Sequence, residues 1–143
     1  MKIRFTYILV AMLGCLSMTS CGPSRFILDV ETRADSESEW KREQYSLYYF
    51  EGDAWYMALE KAEAFDWKAA MDIWMGQMES SNVLKRASAA YNLATACYML
   101  GDYKLASEWL DQADKEADLI TSEGLRKRID SKINFSSSSP DRR

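Results

Sequence analysis

The side chains best suited to covalent chemistry in this sequence are three cysteines, Cys15, Cys21 and Cys97. No histidine accompanies them. Its absence removes the commonest general base and the commonest zinc ligand, and excludes Ser/His/Asp and Cys/His catalysis. Paired-carboxylate chemistry would fall to Asp111, Asp114, Glu116 and Asp118. On a helix these point in several directions, so they read as a solvated acidic face. No aspartate-rich loop carries the glycine that a calcium turn needs. The residue types therefore predict no enzyme, no metal site and no cofactor. What remains is the setting of Cys21, which follows the small residues Thr19 and Ser20 in "LSMTSCG".

That setting begins with Lys2 and Arg4, followed by an apolar run from Phe5 to Leu13. The run falls short of the roughly 20 residues that a spanning helix requires. A basic start, a short apolar middle and small residues at the end describe a secretion signal. Its end resembles the bacterial lipobox, with Met18 in the place of the usual leucine. The resemblance implies cleavage before Cys21, a diacylglycerol on its sulfur and an acyl chain on the new amine. Cys15 fits this pattern poorly, because the bulky Leu13 stands two places before it. Two acyl chains suffice for stable anchoring. The mature chain then has 123 residues, 16 basic against 22 acidic, and a net charge of −6. Such a charge argues against a nucleic-acid partner. Cys97 is left without an intrachain disulfide partner, so the core alone holds the fold. No acidic run of the kind linked to surface display follows Cys21. The expected location is the outer membrane of a Gram-negative bacterium, facing the periplasm.

Residues 21–36 read as a polar tether, apart from the patch Phe26-Ile27-Leu28, and residues 135–143 as a disordered tail. Residues 37–134 read as one helical domain, because proline is absent and good helix formers dominate. Gly52 and Asp53 are expected to end one helix and cap the next. Gly101 and Asp102 repeat the device, Asp66 takes a capping position after Phe65, and Ser80-Ser81-Asn82 closes a helix. Comparing "FDWKAAMDIWMGQ" with "GDYKLASEWLDQA" aligns Trp67 with Tyr103, Ala70 with Ala106 and Trp74 with Leu110, each 36 residues apart. A period of that size marks stacked helical hairpins.

The stretch "AAYNLATACYMLGDYKLASEWLDQA" resembles the tetratricopeptide repeat. Ala90, Leu93, Ala94 and Cys97 fall on its first helix, Gly101 on its turn, and Ala106, Leu110 and Ala113 on its second helix. Residues 54–77 supply a looser copy. The layout is also similar to uncharacterised Bacteroidota lipoproteins. The fold class expected is all-α: antiparallel helical hairpins stacked as a short solenoid. Flanking helices cap it, one around Trp40, Leu47 and Phe50 or Tyr48, the other through Leu125, Ile129 and Ile133. In tetratricopeptide hairpins the first helix lines a concave groove. The resemblance therefore makes Tyr91, Asn92, Thr95, Tyr98 and Met99 the candidate partner-binding residues. Trp55, Leu59 and Ser88 stand where a carboxylate clamp of that family has amide or basic residues. The expected function is a lipid-anchored scaffold module that binds an envelope protein or peptide through this groove. The alternative is a glycan-binding lipoprotein using exposed aromatics from the set Tyr45, Tyr48, Tyr49, Phe50, Trp55, Tyr56, Trp67 and Trp74.

Overall fold

A computed structural model of the chain describes residues 22–33, 40–118 and 122–138. Residues 1–21, and with them the expected signal segment and Cys21, lie outside the described residues, as do residues 34–39, 119–121 and 139–143. The chain order is two strands and then five helices.

Strands β1 (Ser24–Arg33) and β2 (Trp40–Tyr49) pair antiparallel, with Phe26 opposite Leu47, Leu28 opposite Tyr45 and Val30 opposite Glu43. This overturns the all-α expectation. Residues 24–33 belong to the sheet and not to a tether, and residues 40–49 form a strand and not a capping helix. The physical reason is a period of two that helical spacing obscured. Leu28, Val30, Tyr45 and Leu47 are buried, and Phe26 packs beside them. The alternate residues make a polar outer face, where Gln44 donates to Asp29 at 2.9 Å and Arg42 pairs with Glu31 at 2.9 Å. The β-branched Ile27 and Val30 of β1 and the aromatics Tyr45, Tyr48 and Tyr49 of β2 suit a half-buried pleat.

Five helices follow: α1 (Asp53–Glu63), α2 (Trp67–Gln77), α3 (Val83–Met99), α4 (Tyr103–Glu116) and α5 (Ser122–Ser138). Gly52 follows a strand and not a helix. It occupies the cap position of α1 with φ 141°, a conformation that favours glycine. Asp53 is the first helical residue, not the cap. The 36-residue period is visible in the turns. After α1, the Phe65 and Asp66 amides donate to the Ala62 and Lys61 carbonyls at 3.0 and 2.9 Å. After α3, the Gly101 and Asp102 amides donate to Tyr98 and Cys97 at 3.0 and 3.0 Å. Asp66 then caps through the Ala69 amide and Asp102 through the Leu105 amide. Phe65 holds φ 58° where its counterpart Gly101 holds 83°, so the first copy of the turn puts a bulky residue in the left-handed region. Asn82 does more than follow α2: its side-chain oxygen caps α3 through the Leu84 and Lys85 amides.

Helix α3 is the centre of the packing because both of its sides are buried. Ala89, Leu93 and Ala96 join the cluster of the hairpin, α1 and α2. Ala87, Ala90, Ala94 and Cys97 join a second cluster with Ala106, Leu110 and Ala113 of α4 and with Leu125 and Ile129 of α5. The alanines let the backbones approach. Ala106 has no exposed surface, so Ala106→Leu should lower stability by about 1–3 kcal/mol through overpacking. A thermal melt unchanged from the parent would show that α3 and α4 do not meet at that position. Arg86 fastens the same interface, reaching Glu116 at 2.8 Å and the Ser80 carbonyl at 2.7 Å.

Candidate functional site

The five groove residues lie along one stripe of α3, and the structure places β2 over that stripe. Asn92 is fully buried, and its side-chain amide pairs with the backbone of Tyr48 in both directions. The Tyr48 N–H donates to Oδ1 at 2.8 Å, and Nδ2 donates to the Tyr48 carbonyl at 2.6 Å. The amide copies what a neighbouring strand would offer, so α3 closes the edge of β2 with a side chain. Tyr91 is buried and meets the Tyr48 ring edge-on at 5.1 Å. Thr95 is buried, and its hydroxyl donates to the Tyr91 carbonyl one turn back, at 3.2 Å. Tyr98 is half-buried between Tyr45, at 5.9 Å, and Tyr103, at 5.5 Å. Met99 packs at the edge of the cluster that includes the hairpin. The structure therefore brings all five residues together, beneath a segment of the same chain.

Beside this closed stripe an open cleft of about 440 Å³ lies between β2 and the start of α5, with Tyr91 of α3 contributing to its lining. Gln44, Tyr45 and Ser46 come from the strand, and Glu123, Lys127 and Arg128 from the helix. The Arg128 guanidinium lies 4.4 Å from the Tyr45 ring centroid, within cation–π range. Its Nη1 is 3.9 Å from Glu43, beyond hydrogen-bond reach, and is buried with no hydrogen-bond partner among the described residues. Glu43 instead accepts from the Tyr45 hydroxyl. That bond, more than the nearby cations, holds the Glu43 carboxyl below its ordinary pKa. Burial, reinforced by the same bond, pushes the Tyr45 hydroxyl well above the ordinary phenol range, so it remains a donor.

The neighbouring cations are differently occupied. Lys127 pairs with Glu123 at 2.8 Å within α5. Arg126 bridges Asp111 and Asp114 at 2.9 and 2.7 Å, which ties α5 to α4 and uses two carboxylates of the acidic run. Arg128 is thus the cation of the run 126–128 that faces the cleft with the loosest pairing. Glu43 and Ser46 escaped sequence reasoning, and Tyr45 entered it only as one of an aromatic set, because residues 40–49 were read on a helix. As alternate and adjacent positions of a strand, they sort at once into an inner and an outer face.

Of the remaining aromatic and thiol candidates, the three tryptophans and Cys97 are inward, Tyr49 and Phe50 are half-buried, and Tyr56 is exposed. Trp55, Trp67 and Trp74 are all buried, so none offers the exposed face on which a sugar ring stacks. Cys97 is buried, and that burial, with a smaller contribution from Asp102, pushes its pKa up to about 11. The thiol is neutral at pH 7 and is a packing group of α3. Among the described residues no group of three His, Cys, Asp or Glu side chains could hold a metal ion. Likewise, none of the described helices is long and apolar enough to cross a membrane.

A family model described as domain of unknown function DUF6340 matches residues 56–135, from within α1 to near the end of α5 and more than half of the chain. The hairpin lies before the matched range. Neither the curated proteins nor the solved structures contain a match to the chain.

Proposed function

The chain belongs to the DUF6340 family, and we propose that it is a lipid-anchored, non-enzymatic interaction module of the bacterial envelope. On this reading Cys21 carries the lipid, and the folded unit stands at the membrane surface on the periplasmic side. There it holds a protein or peptide partner. The stacked hairpins are the tetratricopeptide-like part of the module. The stripe Tyr91, Asn92, Thr95, Tyr98 and Met99 serves the fold, because β2 fills it. The partner surface is then the adjoining cleft. Its tyrosines offer apolar faces, Gln44 and Ser46 offer hydrogen bonds, and Arg128 offers a charge for an acidic side chain or a terminal carboxylate.

The observation that carries this reading is Arg128 itself. Its Nη1 is desolvated, its nearest carboxylate stands too far for a hydrogen bond, and its guanidinium is fixed against Tyr45 at the cleft wall. A carboxylate entering the cleft would pair with the exposed part of the Arg128 side chain, whose Nη1 side is held against Tyr45 and Glu43. The test is a photo-crosslinking amino acid at position 46 in intact cells, with a second at the exposed Phe135 as control. The expected result is one discrete protein adduct from position 46, at least about tenfold weaker after Arg128→Ala, as for loss of a charge-assisted contact. No adduct at position 46, or one indifferent to Arg128→Ala, would refute the cleft as the binding surface.

A further inference from the structure

The hairpin has a second edge. Because both backbone polar groups of Tyr48 turn to Asn92, the pair Arg25–Tyr48 is a non-hydrogen-bonded pair of the ladder. Alternation along the ladder then fixes the rest. The N–H and C=O groups of Arg25, Ile27, Asp29 and Glu31 point away from β2, along the outer edge of β1. Among the described residues no backbone group pairs with that edge. On β2 the corresponding outward groups of Tyr48 are satisfied by Asn92, but β1 has no such device. Two-stranded sheets are marginal, and an uncovered edge is a template for another strand.

The side chains beside this edge select what can pair with it. Arg25, Ile27 and Asp29 stand in alternate positions on the outer face, with Ile27 40% exposed and Arg25 without an ion-pair partner among the described residues. The order positive, apolar, negative is self-complementary when read antiparallel about its centre. We propose that β1 pairs with β1 of a second copy of this chain around a two-fold axis at Ile27, giving a four-stranded sheet in the order β2-β1-β1-β2. Ile27 meets Ile27, and each Arg25 meets Asp29 of the second copy. On the inner face Phe26 stands opposite Leu28 of the second copy. A shift of two residues one way sets Ile27 against a carboxylate. The other shift sets Asp29 against Pro23, which has no N–H to donate. The closed two-fold leaves no further strand to add at this edge.

The inference is independent of the cleft, and its test uses the full chain in isolated membranes. Ile27→Cys is treated with a short bis-maleimide, and Ser46→Cys, next to Ile27 on the same face but on β2, is the control. Buried Cys97 is protected from the reagent. The expected product is a band at twice the chain mass from Ile27→Cys and not from Ser46→Cys. Adding Arg25→Asp should reduce the Ile27→Cys band about tenfold by placing like charges together, and Arg25→Asp with Asp29→Arg should restore it. Matching thermal melts of the variants keep a folding defect from imitating the effect. No band at twice the chain mass, a band joining the chain to a different protein, or a double variant no better than Arg25→Asp would overturn the proposal.

Discussion

Asn92→Ala is expected to lower stability by about 2–6 kcal/mol, because it strands two buried backbone groups at once, each costing about 1–3 kcal/mol. The two groups are the N–H and C=O of Tyr48, at 2.8 and 2.6 Å from the Asn92 amide. Tyr48 is buried, so water does not replace the lost partner freely. In a domain of this size the melting temperature should fall by more than about 8 °C. The loss should be local in origin. Hydrogen exchange should accelerate first in β2, whose edge loses its cover, while the α3–α4 interface remains protected until global unfolding. Asn92→Asp separates the two halves of the clamp. A carboxylate still accepts from the Tyr48 N–H but faces the Tyr48 carbonyl with no donor. Burial and that carbonyl raise its folded pKa above the unfolded value, so Asn92→Asp should be relatively more stable at low pH and lose that gain as pH rises through the folded pKa. An Asn92→Ala protein that melts with the parent would mean that the helical stack does not depend on the hairpin.

The helical hairpins were legible because their signals are local and repeated. Capping aspartates, small residues at spacings of three and four, and a 36-residue self-similarity recur at Asp66 and Asp102, Ala70 and Ala106. The sheet was obscured for the opposite reason. Each strand is half polar, and the charged half of β1 (Arg25, Asp29, Glu31) looks like a solvated tether until the second strand is set beside it. In β2, Leu47 and Tyr48 also fit a helical stripe, and the alternation of Glu43, Tyr45 and Leu47 inward competes with it. Aromatics at Tyr45, Tyr48 and Tyr49 should have favoured the strand. Asn92 was singled out by the tetratricopeptide resemblance as a groove residue for a partner, and in the structure it faces an extended backbone. That backbone is supplied by the chain itself, 44 residues earlier, and no local pattern states such a pairing. The cleft was illegible as a consequence, because Tyr45 and Arg128 share it only once β2 lies along α3.

Trp74→Ala is expected to be comparably damaging, at about 3–5 kcal/mol for a buried aromatic removed from a packed core. Trp74 has no exposed surface and belongs to the cluster that joins the hairpin to α1, α2 and α3, together with Leu47, Trp55, Trp67 and Leu93. Its role is separable into volume and polarity. The indole Nε1 is buried with no hydrogen-bond partner among the described residues, so the native side chain fills space while carrying an uncompensated donor. Trp74→Phe discards that donor and keeps one ring, and its cost should stay below about 2 kcal/mol because the two effects oppose each other. Trp74→Leu installs the residue found at the matching position of the second copy, Leu110, and should fall between the two. Denaturant titration of the three variants gives the order directly. A phenylalanine variant as unstable as the alanine one would mean that the indole nitrogen is bonded after all. An alanine variant within about 1 kcal/mol of the parent would mean that the core closes over the cavity. The expected order, with alanine far below phenylalanine, assigns Trp74 as the filler between the first hairpin and the sheet. The position of β2, and with it the wall of the cleft, then rests on side-chain volume at a site 25 residues beyond the end of the strand.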